Sequence, residues 1–221
     1  MYWGIEKLGA LRKCTIIGCS QGEYEEALKL SKDSICINNG INITKIEQET
    51  EKLKEKEIDF SSLKICTSGR IGHQKNPEMF NKIAESFPNL QFTWIGEGDL
   101  RDKLTSPNIT ITGWKTREEV LEIVNQNDVF ILASLWEGLP ISLLEAMYLK
   151  KVCIVSNCIG NRDVINHEEN GFIINENNYI DIINNLNQEI YKEISANAKK
   201  SILDEFNTER MASEYKKEYL K

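Results

Sequence analysis

The chain has 221 residues, 41% of them hydrophobic and 28% charged, with 34 Asp and Glu against 27 Lys and Arg for a net charge of -7. This length fills one core of ordinary domain size and is short for two. The acidic balance excludes a general nucleic-acid or anionic-membrane binder, whose affinity comes from a basic surface, so any anion site has to be local.

In chain order, Glu6, Lys7, Arg12 and Lys13 interrupt what would have to be a continuous apolar segment in a secretory leader, and a cytoplasmic location is expected. Residues 15–19 read as a buried strand, 23–29 as a helix, 35–37 as a second strand and Asn39-Gly40 as a turn. One strand-helix-strand unit cannot bury both faces of its strands. Residues 1–42 are therefore expected either to extend a larger sheet or to be the remainder of another domain. Between residues 44 and 62 stand four Lys and six acidic residues with few apolar ones, which reads as an exposed linker or solvated helix over 43–62.

From Lys64 onward, short β-branched runs alternate with helical periodicity, the pattern of an α/β fold with a parallel sheet and helices on both faces. Strands are predicted over 64–68, 91–95, 108–112, 128–133, 151–155 and 171–174. Asn76 is placed as an N-cap, with Pro77 at the first helical position and Phe80, Ile83, Ala84 and Phe87 on one face. Thr116 opens a capping box closed by Glu119 and followed by Val120, Leu121, Ile123 and Val124. Pro140 opens a helix over 141–149, and helices over 179–190, 194–206 and 208–219 follow. The longest apolar run, 129–136, is far short of the roughly 20 residues that a membrane-spanning helix needs. The six cysteines form no C-x-x-C pair and are expected as buried free thiols. His73 and His167 have no ligand partners at metal spacing, so no zinc site is expected. Only 6 Arg accompany 21 Lys, so an Arg at a candidate site stands out.

Open parallel sheets bind ligands beyond the carboxyl ends of their strands, which directs attention to three loops. The loop 68–77 carries Arg70 and Lys75 beside Gly69, two cations able to converge on a diphosphate, one as a planar fork and one as a point charge. The loop 95–99 carries Gly96 and Gly98, which permit close backbone approach. Arg101 stands where a G-x-G-x-x-G fingerprint would need its third glycine, and a dinucleotide reading is set aside. The third segment, 134–147, holds Glu137, Gly138, Leu139 and Pro140 ahead of a helix whose first amides, at Ile141 and Ser142, form an anion-attracting end. Glu145, about a turn and a half into that helix, can accept paired hydrogen bonds from a vicinal diol. Hydroxyl recognition explains carboxylates beside a phosphate site. Taken alone, the two acids could equally be dipole compensation or a glycosidase acid/base pair, although a hydrolase would not need the cationic loop.

With Gly69-Arg70 and Lys75, Gly96-Glu-Gly98, Gly113-Trp114, Glu137-Gly-Leu-Pro140, Leu144-Glu-Ala-Met147, Gly160-Asn161 and Glu169-Asn-Gly-Phe172 in this order, the chain resembles the donor-binding domain of retaining glycosyltransferases of family 4, fold GT-B. The resemblance is dense over residues 64–174 and implies a Rossmann-like sheet, the C-terminal half of the two-domain fold. Glu137 and Glu145 reproduce the family's E-x7-E spacing. The resemblance implies that Arg70 and Lys75 hold the diphosphate and stabilise its departing charge, that Glu137 contacts the donor sugar and that Glu145 contacts the ribose. It further implies that the amides of Gly138 to Ser142 bind phosphate and sugar, that the backbone at Trp114 and Lys115 borders the nucleobase, and that Gly69 and Gly96 belong to the donor-binding set. The Trp114 ring is expected to pack rather than stack. No D-x-D motif is present, and no metal or other cofactor is expected.

Cys19-Ser20 and Asn39-Gly40-Ile41 resemble the closing segment of the family's acceptor domain. The expected organisation is a remnant of that domain over 1–42, a linker over 43–62 and the donor-binding domain over 63–221. The expected substrate is a UDP- or GDP-hexose, the acceptor a glycan or lipid-linked sugar, and the location cytoplasmic, at most peripheral to the inner membrane face. Transfer by the chain alone is expected to be poor, with self-association or a separate acceptor domain as its partner. Two alternatives stay open: a non-catalytic or partner-dependent nucleotide-sugar module, and a UDP-sugar epimerase of the same architecture.

Overall fold

The computed structural model describes residues 14–53, 57–175 and 177–220; residues 1–13, with Glu6, Lys7, Arg12 and Lys13, and residues 54–56 of the expected linker lie outside them. The chain runs β1 (Ile16–Gly18), α1 (Gln21–Leu28), β2 (Ser34–Cys36), α2 (Ile43–Thr50), β3 (Lys64–Ser68), α3 (Pro77–Ser86), β4 (Gln91–Ile95), β5 (Ile109–Ile111), α4 (Arg117–Gln126), β6 (Val129–Leu132), α5 (Ile141–Tyr148), β7 (Val152–Ser156), β8 (Phe172–Ile174), α6 (Tyr179–Asn185), α7 (Gln188–Glu205) and α8 (Thr208–Tyr219).

Among the described residues, β3 to β8 form one six-stranded sheet in the order β5-β4-β3-β6-β7-β8, every pair parallel. Strand residues alternate between two buried layers. Cys66, Phe130, Leu132, Cys153 and Val155 face one side with Leu121 and Val124 of α4, Leu143, Leu144, Ala146 and Met147 of α5 and Ala198 and Ile202 of α7. Ile65, Phe92, Val129, Ile131, Val152 and Ile154 face the other with Phe80 and Ile83 of α3, Tyr179 and Ile183 of α6 and Tyr191 and Ile194 of α7. A parallel sheet covered on both faces accounts for near-continuous apolar strands such as Val129–Leu132. The order reverses between β3 and β6, so a crevice opens beyond their carboxyl ends.

β1 and β2 form a separate parallel pair rather than extending the large sheet. The pair is nonetheless tied to it. The Gly22 amide donates to Asp163 Oδ2 at 3.0 Å, and Ile41 exchanges backbone hydrogen bonds with Phe206 and Thr208 at 2.9 and 3.1 Å. The segment expected to be solvated contains α2, whose Ile46 is completely buried among the residues of the first layer. Ile46, with the partly buried Ile43 one turn before it, anchors a helix that the surrounding charges disguise. The helices expected over 179–190 and 194–206 break instead at Leu186-Asn187, because the Asn187 side chain accepts from the Glu189 and Ile190 amides and starts α7 there. The thiols are only partly as expected: Cys66 and Cys153 are buried, Cys19, Cys36 and Cys158 are half-buried and Cys14 is exposed. No helix among the described residues is long and apolar enough to cross a membrane.

Candidate nucleotide-sugar site

The loops after β3 and β6 meet over the reversal point of the sheet. After β3 the chain makes a short 3-10 turn, His73–Lys75, and Asn76 takes a left-handed conformation (φ 52°) to cap α3. This turn aims Lys75 at the second loop, where Lys75 Nζ lies 2.6 Å from Glu137 Oε1 with the two side chains only 17% and 7% exposed. Gln74 fixes the pairing. Its carbonyl accepts from the Leu135 amide at 2.8 Å, and its Nε2 donates to the Trp136 carbonyl at 3.0 Å and to Glu137 Oε2 at 3.3 Å. Lys75 spends one of three ammonium donors on Glu137, which leaves two for an anion.

A cavity of about 600 Å³ adjoins this pair, lined by Ser68, Gly69, Arg70, Lys75, Ile95, Gly96, Glu97, Gly98, Trp114, Lys115, Val120 and Ser142. Its size lies within the range of small-molecule sites. Its walls approach closely because Gly96 has no side chain: a Cβ there would stand 2.1 Å from the Gly69 carbonyl oxygen, and its φ of 146° suits glycine. Arg70 is 75% exposed and pairs with the 82% exposed Asp99 at 2.6 Å. An ion pair this exposed is worth at most about 1 kcal/mol, so Arg70 can exchange Asp99 for a phosphate at little cost. Lys115 lies 3.0 Å from Glu119 in the cavity wall. Trp114 is 78% exposed, against the expectation of a packed ring, because Gly113 (φ 73°) turns the chain outward after β5.

The structure therefore brings Gly69, Arg70, Lys75, Gly96, Trp114, Lys115 and Ser142 into one cavity, with Glu137 joined to it through Lys75. The other predicted residues stand elsewhere. Gly138 lies against the β1 to β2 unit, where an added Cβ would meet Glu23 Oε1 at 2.7 Å, and the Leu139 carbonyl accepts from Asn39 at 3.4 Å. Leu139 and Pro140 are buried. Ile141 is exposed at the start of α5, where Pro140 supplies no side-chain cap and the first amides have no partner inside the helix.

Glu145 is buried, and Arg117 Nε and Nη2 each lie 2.9 Å from its Oε1. Burial raises its pKa above the ordinary carboxylate value, against the opposing pull of Arg117. The two acids of the E-x7-E spacing thus hold different cations, an arrangement unlike two carboxyls flanking one glycosidic bond. Sequence reasoning missed Gln74, Asp99 and Arg117. Of these, only Arg117 carried a signal, as one of six arginines, and the capping box absorbed it. A second cavity of about 380 Å³ lies between β8 and helices α6 and α7, lined by groups such as Phe172, Ile182 and Leu186, and carries no lysine or arginine.

The model of the family "Glycosyl transferases group 1" matches residues 48–201. An Escherichia coli UDP-Gal:alpha-D-GlcNAc-diphosphoundecaprenol alpha-1,3-galactosyltransferase is 31% identical over 91% of this chain and 57% of its own length. A Campylobacter jejuni N,N'-diacetylbacillosaminyl-diphospho-undecaprenol alpha-1,3-N-acetylgalactosaminyltransferase is 26% identical over 69% of this chain and 44% of its own length. The chain spans about half the length of the curated relatives it matches. Among solved structures, Anabaena Alr3699/HepE in complex with UDP and glucose superposes with a TM-score of 0.80 at 14% identity, over 98% of this chain and 66% of that one, and shares its fold. The fold is GT-B.

Proposed function

Because the chain belongs to the group 1 glycosyl transferases, we propose that its cavity binds the donor, a nucleoside diphosphate sugar, for retaining transfer of a hexose to a glycan or lipid-linked acceptor. The observation that carries this reading is the Lys75–Glu137 pair at the reversal point of the sheet, with Arg70 and the start of α5 opening on the same cavity. In transfer, the bond between the anomeric carbon and the diphosphate breaks, and a bond to the acceptor oxygen forms on the same face. The acceptor hydroxyl proton leaves with the departing diphosphate. Negative charge then grows on that diphosphate, where Lys75, Arg70 and the uncapped amides of α5 are preorganised to meet it. Glu137, held by Lys75 and Gln74, takes hydroxyls of the donor sugar, and Glu145 takes the ribose. The named activities of the Escherichia coli and Campylobacter jejuni relatives support an acceptor carried on a lipid diphosphate, which would place the reaction at a membrane surface.

The chain covers about half of those relatives, and we infer that it binds donor but transfers poorly without acceptor-side residues supplied by another segment or subunit. Calorimetry with UDP, GDP and their hexose conjugates tests the reading. Saturable binding of one pair is expected, with Glu137→Ala weakening the sugar conjugate by about tenfold and the free diphosphate far less. No heat at millimolar ligand, or equal losses for both ligands, contradicts it.

A further inference from the structure

Three charged side chains meet from three helices, α2, α4 and α5. Arg117 opens α4 and places both Nε and Nη2 on one oxygen of Glu145, Oε1, at 2.9 Å. Its Nη1 lies 3.2 Å from Glu49 Oε2 on α2, an ion pair without hydrogen-bond geometry, and that buried oxygen takes no hydrogen bond. The side chains are 36%, 11% and 19% exposed for Arg117, Glu145 and Glu49. Both contacts of Arg117 with Glu145 thus fall on the same oxygen, Oε1. Glu145 stands three residues after Ser142, which lines the cavity, so both project from one face of α5.

We propose that Arg117 is a positioning residue for ribose recognition: it grips Glu145 by one oxygen, leaves the other for a sugar hydroxyl, and is itself steadied by Glu49 of α2. This rests on the reading of Glu145 as the ribose contact. Three circumstances support it. A carboxylate on two rotatable bonds and a helix surface has several rotamers, and two donors on one oxygen select among them. A buried carboxylate without a cation would take up a proton and lose half of its acceptor capacity. Among the described residues Arg117 is the cation paired with Glu145: α2 contributes Glu49 and Glu47, the latter accepting from Tyr148 Oη at 2.8 Å, and Lys199 of α7 stands over the Tyr148 ring, 4.3 Å from its centre.

The test is a comparison of ribose with its deoxygenated form. Binding of UDP and of 2′,3′-dideoxy-UDP is measured by calorimetry for wild type, Arg117→Met and Arg117→Lys, with GDP and its analogue where the guanine nucleotide binds. Wild type is expected to prefer the ribose form by about tenfold. Arg117→Met should shrink that preference to about twofold and make what remains of it fall at a higher pH than in the wild type on acidification, the comparison of the two ligands cancelling the titration of the terminal phosphate itself. Arg117→Lys should restore most of the preference, and Glu49→Gln should reduce it modestly in a folded protein. A wild type that binds UDP without preferring the ribose form removes the ribose role of Glu145 itself. A preference retained in folded Arg117→Met, or an affinity loss equal for both ligands with an unchanged pH profile, overturns the positioning role alone. If Arg117→Met fails to fold, the Arg117→Lys and Glu49→Gln comparison decides.

Discussion

Lys75 and Glu137 are 62 residues apart in sequence, yet their contact decides what both can do. Paired and almost buried, Lys75 is held in place for a second anion, and Glu137 is held in place for hydroxyls. Removing one partner leaves the other charge buried without compensation, so Lys75→Met is expected to cost about 3 kcal/mol of stability as well as diphosphate affinity, seen in urea unfolding. Arg70 is the opposite case. Its exposed pair with Asp99 competes with a phosphate for the same guanidinium. Asp99→Asn should therefore tighten UDP binding about two- to threefold in calorimetry while leaving the unfolding midpoint unchanged.

Glu145 gives a pH prediction of definite sign. Burial raises its folded pKa above the unfolded one, so the native chain holds the proton more tightly and stability falls as pH rises from the ordinary carboxylate range through the raised value. Glu145→Gln should remove that part of the decline in urea unfolding followed across the window. Much of this residue layer was legible: the cations of loop 68–77 and the E-x7-E spacing are local patterns. Arg117 was not, because its partners lie 28 residues away at Glu145 and still farther at Glu49, and nothing near Arg117 in sequence records them.

At the scale of elements, the legible parts are those with a local physical cause. The Thr116 to Glu119 capping box is present with both of its reciprocal bonds, and Asn76 caps α3 as its sequence position before Pro77 demands. β3 and β4 match their predicted bounds because apolar runs bounded by turn residues leave little choice. The misplaced break before α7 has an equally local cause. In an Asn-rich stretch many residues can cap, and only the fold selects Asn187. Asn187→Ala is expected to cost about 1 kcal/mol, measured by thermal or urea unfolding, whereas Asn184→Ala in the preceding helix should be nearly neutral. Helix α2 was legible only as a linker or solvated helix: its apolar contacts with the core are Ile46 and the partly buried Ile43 one turn before it, and two apolar residues among charges are too few to mark a packed face.

For the whole molecule, the reversal of strand order between β3 and β6 converts a list of motifs into a site. It brings together loops that follow the first and fourth strands of the sheet, and a net charge of -7 makes the local cluster of Arg70, Lys75 and Lys115 the more distinctive. The docking of β1 and β2 through Asp163, Asn39 and Ile41 sets a second surface beside Gly138, next to the segment that precedes α5. That contact lies between residues 100 or more positions apart and could not be read from sequence.

The central claim is that nucleotide binds where these loops meet. Amide hydrogen exchange with and without saturating UDP or GDP tests it most directly, because protection reports on each segment separately. The account predicts slowed exchange in residues 69–76, 95–98, 113–115 and the start of α5, with little change around β8 and α6. Saturating binding that leaves those four segments unprotected, or that protects the cavity beside β8 instead, would contradict it.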